Sequence, residues 1–150
     1  SYAEIYVADG VTAEAIAPGA AYTPLTAFNT AQGHNGLSNF LTADKSGSRI
    51  VIPPTSAGRY LCTFTIAGTT DDDCNMKIAV FLDGVEQSQI HAESFMSSGI
   101  LLDAAGSGFL EVPGTGAGVV TLGASHDQVG AVNLTETFIN FSLHFIGAIP

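Results

Sequence analysis

Residues 71–75, Asp-Asp-Asp-Cys-Asn, are the most acidic stretch of the sequence and its first candidate for a chemical site. Carboxylate and amide oxygens are the ligands that Ca²⁺ takes in proteins, several at a time. The spacing does not match a calcium loop of the form D-x-D-x-D-G, and consecutive aspartates also solvate a loop and discourage edge pairing. We therefore favour a solvated hairpin tip at Asp71–Asp73, with cation binding there as the open alternative.

The three residue types of a hydrolase triad occur together in Ser125-His126-Asp127. Consecutive residues of a strand point to opposite faces, so these three cannot align as nucleophile, base and orienting acid. The sequence has no G-x-S-x-G motif, and its histidines show neither H-x-H nor H-x-x-x-H spacing. We expect no catalytic residue, no metal site and no cofactor, and hence a protein that is not an enzyme.

The two cysteines, Cys62 and Cys74, are too few for a disulfide framework. If residues 59–67 and 76–82 pair as a hairpin across the aspartate loop, Cys62 falls near Val80 while Cys74 falls near the hairpin tip. That register separates the two sulfur atoms by more than a disulfide can span. We therefore predict two free thiols.

Composition limits the classes of partner. The chain has 150 residues, with four Lys plus Arg against fourteen Asp plus Glu and a net charge of −10. Such a surface repels phosphate backbones and anionic lipid, so we expect no nucleic acid as a partner. No apolar run approaches the length of a membrane-spanning segment, so we also expect no membrane insertion. With 46% hydrophobic residues and 17 glycines, the chain is predicted to fold as one packed domain with many turns.

Alternation of apolar and polar residues with a period of two is the dominant pattern. In one segment it places Tyr60, Cys62, Phe64 and Ile66 on a single face. The alternating segments end at Gly, Pro, Asn or Asp. They predict strands over 59–67, 76–82, 85–95, 108–112, 118–125 and 136–146, with shorter ones over 20–28, 39–43 and 49–53. The nearest approach to an amphipathic helix, residues 12–17, is followed by Pro-Gly. Many short strands without helices predict an all-β sandwich or jelly roll.

The last predicted strand, residues 136–146, carries apolar side chains on both faces. Its odd positions form the predicted inward face, yet Phe138 and Ile146 occupy even positions that should be polar on a solvated strand. Residues 76–82 likewise place Phe81 opposite the core side. A sheet that is apolar on both faces is covered on both sides, and another copy of the chain is the economical cover. The alternatives are cover by the N-terminal segment and scattered surface aromatics.

Several short motifs together resemble a known superfamily. A strand ending in proline is followed by a short turn and the pattern Gly58-x-Tyr60-x-x-x-Phe64. A later strand ends in the turn Asp83-Gly84, and an aromatic strand closes the chain near residue 147. Over residues 48–147 the sequence resembles the trimeric jelly-roll superfamily of tumour necrosis factor and the complement globular heads.

The resemblance implies an all-β jelly-roll sandwich that forms a homotrimer, with one sheet facing the threefold axis. It also implies a binding or structural module and not an enzyme. With the last strand near the axis, the predicted trimer contacts are Phe81, Phe138, Asn140, His144 and Ile146.

Domains of this kind also occur in bacteriophage virions, as capsid decoration proteins and as the heads of fibres or spikes. The low Lys and Arg content and the abundance of Gly, Ala and Thr resemble that style of protein. The resemblance thus implies a decoration protein on the capsid exterior, with the major capsid protein or another virion protein as partner. The alternatives are a receptor-binding head of a fibre or spike, and a secreted binding module like tumour necrosis factor or complement.

The segment 1–20 precedes the predicted jelly-roll domain, residues 21–150. As an arm that docks on a capsid shell or on a neighbouring subunit, it is expected to anchor through Tyr2, Ile5, Tyr6 and Val7. The alternative is a first strand that belongs to the sandwich itself.

Overall fold

The computed structural model of the chain describes residues 1–19 and 21–150. Within these residues there are two short 3-10 helices, Ala27–Asn29 and Pro54–Ser56, and twelve strands. The strands are β1 Tyr2–Ala8, β2 Ala13–Ile16, β3 Thr23–Pro24, β4 Gly33–Asn39, β5 Thr42–Asp44, β6 Arg49–Ile52, β7 Gly58–Thr70, β8 Cys74–Leu82, β9 Val85–Met96, β10 Leu102–Val112, β11 Gly118–His126 and β12 Val132–Gly147. The predicted all-β class is confirmed. No helix in the described part of the chain is long and apolar enough to cross a membrane.

Two antiparallel sheets stack face to face. Sheet A has the order β10-β7-β12-β1-β4, and β2 pairs with β12 beyond the end of β1. Sheet B has the order β5-β6-β11-β8-β9, and β3 pairs with β11 beyond the end of β6. Because most neighbours in a sheet are distant in sequence, the chain crosses repeatedly from one sheet to the other.

Alternate side chains of both sheets fill the space between them, as the period-two pattern predicts. The buried inward residues of β7 and β8 are Tyr60, Cys62, Phe64, Ile66, Met76, Ile78 and Val80. Burial of each large apolar side chain stabilises the fold by about 1.5–3 kcal/mol. Both cysteines are free thiols within this core. Burial raises the pKa of Cys62 to about 12, so this thiol is not a nucleophile at neutral pH.

The predicted hairpin between residues 59–67 and 76–82 is wrong. Strand β7 lies in sheet A between β10 and β12, whereas β8 lies in sheet B between β11 and β9. The segment 71–73 therefore crosses between the sheets and does not cap a hairpin. The alternation of side chains specifies which of them point inward but not which strand is the neighbour, because both sheets face the same core.

The first strand is part of the sandwich. Strand β1 lies between β12 and β4 and pairs with both. Ile5 and Val7 point into the core and are buried, whereas Tyr2 and Tyr6 lie half-buried on the outer face of sheet A. The predicted docking arm is therefore wrong, and its alternative, a first strand of the sandwich, is what the structure shows. Ile5 and Val7 cannot anchor the chain to another protein, because they are buried in the core. Ala20, at the predicted domain boundary, lies outside the described residues.

Strand β12 changes phase within its length. A β-bulge between Glu136 and Phe138 inserts one residue relative to β7 and so reverses the alternation of side chains. The buried residues that point into the core are Val132, Leu134 and Glu136 before the bulge, and Ile139, Phe141 and Leu143 after it. The predicted inward face is therefore correct from Ile139 to Leu143, but Glu136 is buried where a continuous alternation places Thr137 inward.

The bulge puts the carboxyl group of Glu136 inside the core. Glu136 is 1% exposed, and within the described residues neither of its carboxyl oxygens accepts a hydrogen bond. Glu14 of β2 lies beside it, with one oxygen bound to the backbone amide and hydroxyl of Thr26 and the other left without a donor. Burial, and then the neighbouring Glu14 carboxyl, raise the pKa of Glu136 to about 10. Glu136 is therefore protonated at neutral pH. Its carboxyl O–H is a donor for the neighbouring Glu14 carboxylate, whose second oxygen has no other donor among the residues described.

We expect Glu136→Gln to stabilise the fold increasingly as the pH rises. Above pH 4.5 the unfolded wild type releases this proton, whereas the folded chain retains it up to about pH 10. The free energy of unfolding of the wild type therefore decreases as the pH rises from 4.5 to about 10, by up to about 1.4 kcal/mol per pH unit. The uncharged amide of Glu136→Gln removes this dependence. Urea unfolding of both proteins at mildly acidic, neutral and mildly alkaline pH measures the difference.

The exposed Glu86 provides the matched control, since Glu86→Gln makes the same chemical change outside the core. Its stability difference from the wild type should stay nearly constant over the same pH range. If Glu136→Gln behaved in the same way as this control, Glu136 would not be protonated in the fold.

Candidate functional site

The outer face of sheet A carries most of the residues that were predicted to contact another chain. The three central strands β7, β12 and β1 place their outward side chains in register across this face. Its four rows, from one end to the other, are Ala8, Phe138, Ala67; Tyr6, Asn140, Thr65; Glu4, Ser142, Thr63; and Tyr2, His144, Leu61.

The four rows are nearly free of acidic and basic side chains, whereas the neighbouring strand β10 places Asp103 beside Ala67 and Glu111 beside Arg59. In the four rows Glu4 is the one carboxylate, although the whole chain carries a net charge of −10. The Glu4 side chain lies over Gly36 of β4, where an added Cβ would meet a Glu4 oxygen at 2.6 Å. Phe138, in contrast, is 42% exposed at the end of the face. Depletion of charge together with exposed aromatic rings is typical of surfaces that contact another protein.

The polar side chains of this face hold one another in place. Tyr6 stacks on His34 of β4 with 4.9 Å between ring centroids, and Tyr2 stacks on His144 at 6.3 Å. In the middle of the face, the hydroxyl groups of Ser142 and Thr63 share a hydrogen bond of 2.8 Å. Because small side chains occupy this middle region, the face is flat there.

The five predicted contact residues do not share one surface. Phe138, Asn140 and His144 lie in the rows, and Ile146 lies beside them at a second bulge near the end of β12. Phe81 belongs to β8 and points from the outer face of sheet B, on the other side of the sandwich. There Tyr22 covers it edge to face, with 5.3 Å between ring centroids. The chain thus covers Phe81 with its own segment.

Tyr2 and Tyr6, predicted as residues of a docking arm, belong to the outer face of sheet A instead. The sequence does contain a signal for this position. Residues 2–8, Tyr-Ala-Glu-Ile-Tyr-Val-Ala, alternate between side chains that are half-buried on the outer face and side chains that are buried in the core. The same alternation was sufficient to predict the later strands, so it also identifies the two tyrosines as neighbours of β12 side chains.

The aspartate loop connects other loops at one end of the sandwich. Asp71 accepts hydrogen bonds from the backbone and side-chain amides of Asn133, at 2.8 and 2.7 Å. Asp73 accepts one from the backbone amide of Ser98 at 2.7 Å. These two carboxylates therefore fasten the start of β12 and the β9–β10 connection to the crossing between β7 and β8. They act as acceptors for neighbouring amides, and among the described residues no group of three His, Cys, Asp or Glu is placed to hold a metal ion.

Ser125, His126 and Asp127 point in different directions, as alternation along a strand predicts. His126 is buried, and its Nε2 lies 2.9 Å from the carbonyl oxygen of Ile16 while its Nδ1 accepts a hydrogen bond from the backbone amide of Gln128. Nε2 therefore carries the proton and donates it to Ile16. Both ring nitrogens of His126 are thus hydrogen-bonded to backbone groups. The imidazole lies inside the sandwich and does not contact the Ser125 hydroxyl on the outer face of sheet B.

Asp127 has a structural role at the same end of the sandwich as the aspartate loop. Its carboxylate accepts hydrogen bonds from the backbone and side-chain amides of Asn75, at 2.9 and 2.6 Å. These bonds lower the pKa of Asp127 to about 2. The carboxylate is thus ionised over the whole physiological pH range. It holds the first residues of β8 against the end of β11.

Comparison with known proteins identifies the fold. No family model matches the chain, and no curated protein matches its sequence. The globular domain of zebrafish complement 1qA protein is similar, with a TM-score of 0.61 and 11% identity, over 99% of this chain and 98% of that one. Murine APRIL at pH 5.0 has a TM-score of 0.58 and 14% identity, over 95% and 98% of the two chains. Eiger TNF from S. frugiperda has a TM-score of 0.58 and 10% identity, over 99% and 96%.

At these identities the likeness concerns the fold alone. The chain has a jelly-roll sandwich like those of tumour necrosis factor and the complement globular heads, over nearly its full described length. The predicted jelly-roll fold is confirmed.

We expect Asp71→Ala to loosen the start of β12 without unfolding the sandwich. The change removes the two acceptors of Asn133, so the Asn133 backbone amide should lose its protection from hydrogen exchange. Asp72→Ala is the matched control, because the Asp72 carboxylate accepts a bond from the adjacent Asp73 amide instead. Exchange measured by NMR distinguishes the two variants.

The same pair of variants tests the cation alternative. If the carboxylates serve as acceptors for amides, added Ca²⁺ leaves the melting temperature of the wild type unchanged. A rise in melting temperature with Ca²⁺ that Asp71→Ala abolishes would instead identify the loop as a cation site.

Proposed function

We propose that this protein is a non-enzymatic module that associates as a homotrimer through the outer face of sheet A. The observation that carries the proposal is the composition of that face. Eleven of the twelve residues in its rows are not Asp, Glu, Lys or Arg, with Glu4 the exception, in a chain with fourteen acidic residues. Depletion of charge together with exposed aromatic rings is typical of a surface that contacts another protein.

Rotational symmetry gives a physical reason for the lack of charge. In a cyclic oligomer the same residue of every copy approaches the axis, so like charges there repel one another. The rows of Phe138, Asn140 and His144 contain no carboxylate, lysine or arginine and so avoid this repulsion. The resemblance to trimeric jelly rolls, together with the similarity in fold, supports three as the number of copies.

A finer proposal concerns the place of the trimer. We propose a structural protein of a bacteriophage virion, which decorates the capsid exterior and binds the major capsid protein or another virion protein. The low Lys and Arg content and the many glycines support it. Because β1 is a sheet strand, docking requires a surface other than an N-terminal arm. Ile100, Leu101 and Val129 are exposed on loops next to the aspartate loop, and such apolar side chains are suited to this contact.

A receptor-binding head of a fibre or spike is the second candidate. One observation favours it, a polar cleft of about 430 Å³ on the outer face of sheet B. This cleft lies on the opposite side of the sandwich from the proposed trimer contact. It therefore stays open to solvent in the trimer and is available to a ligand.

We expect the wild type to have a mass in solution near three times its chain mass of 15.4 kDa, measured by light scattering. Phe138→Glu should convert it to a folded monomer, because the change places three carboxylates close to the symmetry axis. Phe95→Glu is the matched control, since Phe95 is 56% exposed on the outer face of sheet B. That variant should remain a trimer with an unchanged circular dichroism spectrum.

Two results would contradict this assignment. A monomeric wild type removes the proposed association altogether. A trimer that survives Phe138→Glu and dissociates with Phe95→Glu moves the contact to sheet B.

Immunogold electron microscopy tests the virion proposal. Virus particles from cultures that produce this protein are labelled with an antibody to the chain. Label over the whole capsid shell is expected for a decoration protein. Label restricted to tail fibres or spikes would favour the receptor-binding head instead. Particles without label, together with free protein in the culture medium, would contradict both virion roles.

A further inference from the structure

The polar cleft on sheet B has the construction of a ligand site. Its volume of about 430 Å³ lies within the range of small-molecule sites and is sufficient for one or two sugar-sized rings. It is lined by Gly19 and by seven residues with polar side chains: Tyr22, Asn75, Lys77, Glu86, Ser125, Asp127 and His126. The His126 imidazole is already hydrogen-bonded to Ile16 inside the sandwich. The lining residues belong to segments far apart in sequence that the sheet brings together.

The register of sheet B explains why these groups converge. Ser125 of β11 stands directly opposite Lys77 of β8, and Asn75 lies two residues along β8 on the same face. Tyr22 immediately precedes β3, which pairs with β11 next to Ser125. The phenol of Tyr22 and the hydroxyl of Ser125 therefore stand side by side across two neighbouring strands.

Gly123 allows an aromatic wall to form beside these polar groups. A Cβ at this position would lie 2.8 Å from the ring of Phe81 and 3.3 Å from the Cβ of Tyr22. Without a side chain at residue 123, Tyr22 and Phe81 close over the strand. A second hollow of about 220 Å³, lined by Tyr22, Pro24 and Phe81, continues the cleft along this wall.

The cleft contains both donors and acceptors of hydrogen bonds. The Tyr22 hydroxyl donates, the Lys77 ammonium donates as well while it pairs with Glu93 at 3.6 Å, and the Glu86 carboxylate accepts. The Asn75 amide nitrogen is bound to Asp127 at 2.6 Å, which directs the Asn75 side chain and leaves its carbonyl oxygen as an acceptor. Burial, and then the charge of Glu86, raise the pKa of Tyr22, so the phenol remains a neutral donor.

This mixture of groups selects against simple ions. The carboxylates of Glu86 and Asp127 repel an anion. Lys77 forms an ion pair with Glu93 at 3.6 Å, and both carboxyl oxygens of Asp127 accept hydrogen bonds from the amides of Asn75, so the cleft offers a cation few free ligands. The described residues contain no set of three acidic, histidine or cysteine ligands for a metal. A neutral molecule with several hydroxyl groups fits best, because each hydroxyl both donates and accepts. The rings of Tyr22 and Phe81 offer an apolar wall to the C–H groups of the same molecule.

We infer that the cleft on the outer face of sheet B is a binding site for a neutral saccharide of one or two rings. The site is formed by a single chain. It does not depend on the proposed trimer, and it lies on the side of the sandwich that the trimer leaves open.

The test is an NMR titration of the wild-type protein with methyl glycosides of glucose, galactose, mannose and N-acetylglucosamine, and with maltose and lactose. At millimolar concentration, at least one saccharide should shift the backbone amide signals of Lys77, Gly123 and Ser125. Two variants locate the site: Tyr22→Phe removes one hydroxyl and keeps the ring on Phe81, and Glu86→Gln removes the charged acceptor. Each should raise the Kd of that saccharide about tenfold, the effect of one lost hydrogen bond.

Glu111→Gln makes the same change as Glu86→Gln at an exposed carboxylate of β10, outside the four rows and on the other side of the sandwich, and should leave the Kd unchanged. The proposal is overturned if no saccharide shifts these signals, or if both cleft variants bind as the wild type does. It is also overturned if acetate or methylammonium binds more tightly than every saccharide, because the cleft would then select one charge. A wild type that is monomeric but binds a saccharide would refute the trimer and support the cleft.

Discussion

Strand β12 is the element on which the rest of the sandwich depends. It pairs with β7 along most of its length, while its other edge pairs first with β2, over residues 132–135, and then with β1, over residues 138–144. The bulge between Glu136 and Phe138 falls where that second partner changes. One inserted residue lets both halves of the strand turn apolar side chains inward, and it also sets the outward row that begins at Phe138. Without it, one half of β12 would present its polar side chains to the core.

The sequence is sufficient to predict which side chains point inward wherever the alternation is unbroken, as from Tyr60 to Ile66. It is not sufficient to predict the neighbouring strand. Strands β7 and β8 follow one another and alternate in the same way, and a hairpin and a crossing between sheets both satisfy that pattern. The contact between Glu14 and Glu136 joins residues far apart in the chain, and nothing in either local segment specifies it. The aspartate loop is similar, because its partners come from two later segments, Ser98 from the β9–β10 loop and Asn133 from the start of β12.

The two outer faces show why an exposed apolar residue is ambiguous in a sequence. Phe138 and Phe81 both occupy the outward side of a strand with a buried inward side. On sheet B, a preceding segment of the same chain places Tyr22 over Phe81. On sheet A, Phe138 keeps 42% of its surface exposed, and its neighbours Ala8 and Ala67 are too small to cover it. The alternation of apolar residues gives the same prediction for Phe81 and Phe138. Only the three-dimensional arrangement shows that the chain itself covers Phe81 and leaves Phe138 exposed.

The division between the two faces has a consequence for how a trimer of this chain binds. If the outer faces of sheet A meet around an axis, the outer face of sheet B points away from it in every copy, and each trimer presents three clefts at fixed spacing. One cleft with a few polar contacts binds a neutral saccharide weakly, since each hydrogen bond replaces one made to water. Three clefts on a rigid particle bind a surface of repeated sugars far more tightly than one, because the second and third contacts form at high effective concentration. Association through sheet A, as proposed, would thus supply the strength that a single cleft on sheet B lacks.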